Sequence, residues 1–129
     1  MIMKKYFPLI LRIVVAVILI QTLRFKFTAH PDSVFIFSQV GLEPVGRIGI
    51  GVTELIAAIL LLIPRTVWLG ATLVIGILAG AIIMHLTSIG IEVKGDGGTL
   101  FGMAIGTFIM GAILLWLYRK QIPVIGEKL

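Results

Sequence analysis

The sequence predicts an all-α membrane protein: an antiparallel four-helix transmembrane bundle with a short interfacial or re-entrant helix between spans one and two. Three observations predict it. Apolar residues make up 59% of the 129-residue chain, with a mean hydropathy of +1.15. Charged residues make up 13%, against roughly 25% in an ordinary soluble domain. Apolar runs of the length needed to cross a bilayer, about 20 residues, recur four times with no polar block longer than a loop between them. Residues 1–129 are therefore expected to form one transmembrane domain with no separate soluble part.

The first span is expected over residues 6–25. Lys4 and Lys5 before an apolar run resemble a signal peptide, but Arg12 interrupts the run and no A-x-A cleavage site follows, so the helix is expected to be retained. Arg12 sits near its inner end and is expected to snorkel to the cytoplasmic interface. The next stretch, "TAHPDSVFIFSQVGLEP", is too short for another crossing. Pro31 at a helix start, Gly41 as a stop and the aromatic Phe35 and Phe37 as headgroup anchors predict a short helix lying in the outer interface over residues 30–42.

Spans two and three are expected over residues 45–63 and 67–89. Pro64-Arg65 separates them by a tight turn, because proline lacks an N–H and has a fixed φ, so the two helices must be antiparallel neighbours. "GDGG" at 95–98 marks the turn before span four, residues 99–118, with Asp96 or Thr99 placed to cap it. As a phosphate cradle, that glycine run lacks the lysine and the serine or threonine of a P-loop.

Small residues let helices approach closely in lipid. Gly98, Gly102 and Gly106, Gly76 and Gly80, and Gly49, Thr53 and Ala57 are spaced as packing seams. Lys4, Lys5, Arg65, Arg119, Lys120 and Lys128 fall on the side of the termini, and Arg24, Lys26, Arg47 and Lys94 on the other. The positive-inside rule then places both termini in the cytoplasm. The net charge of +5 comes from these helix ends and connections, not from one soluble face, so nucleic acid is not an expected partner. The lipid bilayer is. There is no cysteine, which excludes disulfides, thiol relays and thiolate metal sites for this chain alone.

Polar side chains converge at one level. A rise of 1.5 Å per residue puts Glu54 roughly 12 Å, and His85 roughly 7 Å, in from the outer ends of their spans. Ionisable groups inside spans cost about 2.5 to 3.5 kcal/mol each at the helix centre on insertion scales and usually face a bundle interior or a water-filled cavity. Arg24 and Lys26 end span one at that level, Arg47 opens span two there, and His30, Glu43 and Asp96 lie in the adjoining connections. Arg47, Gly51, Glu54 and Ala58 share one helical stripe, and Arg47 is placed to reach toward Glu54.

Two readings compete. Glu54 and a cation lock two helices together, or Arg24, Lys26, His30, Arg47, Glu54 and His85 build a ligand pocket, since convergent polar groups in an apolar cavity are how small-molecule sites look. A metal site from His30, Glu54, His85 and Asp96 lacks any tight ligand spacing such as HxxxH. No metal and no catalytic residue is assigned.

The run "RFKFTAHPDSVFIFSQVGLEPVGRIGIGVTELIAAILLLIP", followed by "GAIIMHLTSIGIEVKGDGGTLF", resembles the DoxX family of small bacterial four-helix membrane proteins. The most specific pieces are Phe-Lys-Phe-Thr at the end of span one, Gly-Arg-Ile through Glu-Leu opening span two, and His-Leu-Thr near the end of span three. The resemblance implies a four-helix bundle in the bacterial cytoplasmic membrane, beside membrane subunits linked to quinone or thiol oxidoreductase assemblies. Without cysteines the chain cannot run the paired-thiol chemistry of vitamin K epoxide reductase-type enzymes alone. It shows neither a dinucleotide motif nor a haem-binding pattern, so electron transfer requires a quinone or a partner's cofactor.

The leading expectation is a non-hydrolytic membrane subunit or binding module of an oxidoreductase or stress-response assembly. It has an outer-side polar pocket for a small or quinone-like ligand, and either an oxidoreductase partner or a second copy beside it. Whether it is an enzyme in its own right stays open. The alternatives are a small proton-coupled transporter using Glu54, disfavoured by the lack of internal repeat, and a membrane assembly factor or chaperone, which would expose an apolar patch outside the bundle.

Overall fold

The computed structural model describes residues 2–128. Five α-helices follow one another: α1 (Ile2–Phe27), α2 (Pro31–Gln39), α3 (Val45–Leu62), α4 (Val67–Met84) and α5 (Thr99–Leu117). A single π-turn, His85–Ile89, prolongs α4, and two short 3-10 turns end the chain. No strand occurs among the described residues. α1, α3, α4 with its π-turn, and α5 are each long and apolar enough to cross a membrane. The four-helix bundle expected from the apolar runs is the fold observed.

Neighbouring helices are antiparallel and packed in a ring. α1 lies on α3, α3 on α4 and α4 on α5, and α5 closes on α1 over a shorter stretch. The outward faces carry exposed Ile10, Val17, Ile59, Ile83 and Ile109, as a bundle surrounded by acyl chains requires. One end of the ring, the turn end, holds the Pro64 turn; the other is covered by α2.

The core sits toward the turn end. Val15, Ala57, Ala58, Leu61, Val67, Ala71, Val74 and Leu114 are fully buried there. The closest seam is between α3 and α4. A Cβ on Gly70 would lie 2.9 Å from the Leu61 amide nitrogen and 3.0 Å from the Ala57 carbonyl oxygen, so only glycine lets these backbones meet. The glycines predicted as seams behave differently. A Cβ on Gly49, Gly76, Gly80, Gly102 or Gly106 would meet nothing within 4 Å. Four-residue spacing marks a narrow face on a helix but does not say that another helix occupies it.

Arg12 also differs from expectation. It does not snorkel outward: it is buried, its Nε donates to the Leu61 carbonyl at 2.7 Å and its Nη2 to the Leu62 carbonyl at 3.1 Å. Those carbonyls end α3 and have no partner within the helix, so a cation there also meets the negative end of the helix dipole. Gln121 fastens the same turn from the other side, donating to the Pro64 carbonyl at 2.6 Å and accepting from the Trp68 N–H at 3.3 Å.

At the opposite end, Pro31 occupies the first turn of α2, where a missing N–H costs nothing, and His30 caps the helix by accepting the Asp32 N–H on Nδ1. The interfacial helix is present, but its aromatics are not both headgroup anchors. Phe37 is 7% exposed and turned to the bundle, while Phe35 is half-buried with the Lys94 ammonium 5.2 Å from its ring centre. A Lys94–Asp32 ion pair at 3.1 Å ties α2 to the loop before α5.

Candidate functional site

Glu54 lies on the buried stripe of α3 with Arg47, Gly51 and Ala58, and is 5% exposed. α1 supplies its partners from two successive turns: Lys26 Nζ stands 2.9 Å from Oε1, and the Thr22 hydroxyl donates to Oε2 at 2.8 Å. An unpaired carboxylate at this depth would be strongly disfavoured. The cation satisfies one oxygen and the hydroxyl the other.

The pair borders a cavity of about 470 Å³ in the α2 half of the bundle. Its wall is mostly apolar: Ile18, Leu19, Ile50, Ile77, Met84 and Met103 contribute, with Phe37 and Ile36 of α2 as a roof. The polar groups on it are few. Besides Thr22, Lys26 and Glu54 they include Ser33, His85, Asp96 and Thr107. Apolar walls with a few placed polar groups are the usual make-up of small-molecule sites.

His85 opens the π-turn where sequence periodicity expected α-helix to continue to residue 89. Isolated π-turns within helices occur often at functional sites. The imidazole is 6% exposed, its Nδ1 lies 3.0 Å from the Gly90 carbonyl, and Phe101 meets the ring edge-on at 5.5 Å. A carbonyl only accepts, so Nδ1 carries the proton. Gly90 ends the turn with φ +91° and ψ 164°, a region essentially restricted to glycine, and this fold brings its carbonyl back onto the ring.

Asp96 braces the loop leading into α5. Its carboxylate accepts the N–H groups of Val93, Gly98 and Leu100. The Val93 amide does most to hold its carboxyl below the ordinary value of 3.8; burial opposes it next, and the amides of Gly98, Leu100 and Thr99 lower it further by smaller amounts.

The six residues singled out from sequence divide. Lys26, Glu54 and His85 line the cavity, whereas Arg24, His30 and Arg47 do not. Arg24 is exposed on the other side of α1. His30 serves as the α2 cap and meets Phe25 edge-on at 4.8 Å. Arg47 does not reach Glu54: its Nε donates to both oxygens of Glu43, at 2.8 and 3.0 Å, and its Nη1 to the Lys26 carbonyl. Among the described residues, no three His, Asp or Glu side chains gather as metal ligands would.

Sequence reasoning passed over Thr22 and Ser33. Thr22 was findable, because Val15, Leu19, Thr22 and Lys26 follow i, i+4, i+7, i+11 spacing and so share the core face of α1. Ser33 carried no signal, since nothing in the sequence tells which face of a nine-residue helix turns inward.

Comparison with curated proteins and with solved structures gives no match. The sequence pattern of the DoxX-like family matches residues 10–112, which include every helix of the cavity wall, and this multi-pass membrane protein belongs to that family.

Proposed function

We propose that this DoxX-like protein is a non-hydrolytic binding subunit that holds a small, lipid-soluble, quinone-like molecule in the α2-end cavity for a partner oxidoreductase or stress-response assembly. The observation that carries the reading is the cavity itself. About 470 Å³ of mostly apolar space is crossed at one wall by a single Lys26–Glu54 pair. That size suits a ring-sized ligand, and the pair supplies both a donor and an acceptor. Lys26, Glu54 and His85, joined by Thr22 and Ser33, are the proposed ligand-binding residues. Arg24, His30 and Arg47 are assigned to the surface and to the fastening of α2 and α3.

The membrane orientation belongs to the same proposal. The cationic turn end faces the cytoplasm of a bacterial inner membrane and α2 faces outward. Cysteines placed at exposed Gly95 and Glu127 test this in intact cells: a membrane-impermeant maleimide is expected to label the Gly95→Cys variant alone, and labelling of Glu127→Cys alone reverses the topology.

Native mass spectrometry of protein released from lipid nanodiscs tests occupancy. The parent protein is expected to retain a small molecule in the mass range of a quinone, and Glu54→Gln to fold and lose it. Retention by the Gln variant, or a parent carrying nothing but phospholipid, refutes the binding role.

A further inference from the structure

The cavity reaches a lipid-facing flank and holds an unused hydrogen-bonding acceptor, and together they specify more than a pocket. α3 and α4 touch backbone to backbone at Gly70, close to their connecting turn. Farther along α4 they part. Gly76 and Gly80 line the cavity together with Ile50 of α3, a Cβ on either glycine would meet nothing within 4 Å, and Gly76 is exposed. Ile75, beside Gly76, faces a different hollow formed with Ala112, Leu115 and Trp116 of α5. Gly76 and Gly80 therefore lie on the α3 side of α4, where the cavity reaches the lipid-facing flank of the bundle.

At the inner wall, two polar side chains are left over. His85 and Ser33 are each 6% exposed and both line the cavity. Nδ1 of His85 is committed to the Gly90 carbonyl, whereas its Nε2 and the Ser33 hydroxyl have no hydrogen-bond partner among the described residues. Among the described residues every side-chain nitrogen and oxygen closed off from open space has a partner, so these two atoms, which have none, are reached from the cavity. With Nδ1 protonated, Nε2 of the neutral ring offers only a lone pair, and a partner meeting it from the cavity must be a donor.

We propose that the site takes a lipid-borne hydroxyl compound, of which a hydroquinone is the type, admitted from the bilayer between α3 and α4, with its hydroxyl donating to His85 Nε2 and its apolar body lying along Gly76 and Gly80. This rests on the binding role above and narrows it to the reduced, hydroxyl-bearing form. An oxidised quinone brings only acceptors to that nitrogen. Gly90 is the positioning residue, since its carbonyl selects the tautomer.

The test uses the full chain in nanodiscs with a decyl-substituted hydroquinone, the corresponding quinone, and the hydroquinone without its chain. Titration calorimetry under reducing or oxidising conditions is expected to give binding of the alkylated hydroquinone about tenfold tighter than the quinone, the worth of one good hydrogen bond. The chainless compound should bind far more weakly. His85→Ala should abolish the preference by weakening hydroquinone binding and leaving quinone binding unchanged. Gly80→Leu, whose Cβ meets nothing within 4 Å and whose side chain extends from the cavity wall, should weaken both alkylated probes.

Nitrogen NMR of imidazole-labelled protein is expected to show the Nδ1-protonated tautomer, and Gly90→Ala to mix the two tautomers. Equal affinity for both redox forms, an Nε2-protonated ring, or unaltered binding to Gly80→Leu overturns the inference while the binding role stands. Failure of both alkylated probes to bind removes the binding role and this inference with it.

Discussion

The two ends of the bundle each turn a charged side chain of α1 inward against α3, and they use it oppositely. At the turn end Arg12 donates to the last carbonyls of α3, at Leu61 and Leu62, amid fully buried Val15 and Val67, with the Tyr118 ring 5.8 Å away. At the α2 end Lys26 meets Glu54, but beside them lies open space lined by His85 and Ser33 with hydrogen-bonding capacity unspent. A buried charge is therefore not in itself a sign of function. What separates a fastener from a site is whether its surroundings are filled and its polar neighbours satisfied.

The contrast is sharpest under truncation. Arg12→Leu removes two charge-assisted hydrogen bonds and orphans the α3 terminus, and is expected to cost about 3 to 5 kcal/mol, read as a loss of thermal stability in micelles. Glu54→Gln keeps its shape and can still hydrogen-bond Thr22, while Lys26 retains a path to solvent at 16% side-chain exposure. Its expected cost is about 1 to 3 kcal/mol, with loss of ligand as the larger effect. If Glu54→Gln destabilises more than Arg12→Leu, the α2-end pair is the principal fastener and the contrast is inverted.

Glycines on α4 repeat the comparison on a smaller scale. Gly70→Ala forces a side chain against the Leu61 and Ala57 backbone and is expected to destabilise by about 1 to 3 kcal/mol. Gly76→Ala enters open space and is expected to stabilise the helix by up to about 1 kcal/mol. Equal effects in parallel unfolding curves would mean that α3 and α4 are as close at Gly76 as at Gly70.

The smallest effect concerns Asp96. Its carboxyl is lowered in the folded state, so its bracing of the α5 loop is complete above the ordinary value of 3.8 and is lost as pH falls through the lower folded value. The protection of the Leu100 amide against hydrogen exchange, taken relative to the intrinsic rate at each pH, should fall on acidification in the parent. In Asp96→Asn that protection should be low and unchanged over the same window.

The four spans were legible because lipid demands long apolar helices with every backbone group paired internally, and the Pro64 turn because proline cannot continue a helix. Asp96 was legible as a cap from its place before α5, whose Leu100 amide it accepts; its bonds to the Val93 and Gly98 amides of the loop were not. The partnering of charges was harder. Arg24 and Lys26 are about 200° apart on a helix, so only one can face Glu54, and the positions of Leu19 and Leu23 decide for Lys26. Arg47 sits four residues after Glu43, a spacing that favours a local pair over a reach of two turns to Glu54. The cavity itself was not legible, because spacing places small residues on a face without fixing how far the facing helix stands off. Nor was the π-turn, which depends on where the Gly90 carbonyl is carried by a backbone conformation no side-chain pattern encodes.

The pairing of Lys26 with Glu54 at 2.9 Å also has an electrical meaning. Two opposite charges so close form a dipole with no net charge, whereas an isolated charge moved across the membrane field feels about 2.3 kcal/mol per 100 mV. A neutral guest entering or leaving beside the pair carries no current, so an energised membrane neither drives it in nor expels it. On the binding role proposed above, occupancy would follow the amount of guest dissolved in the surrounding leaflet, independently of the membrane voltage.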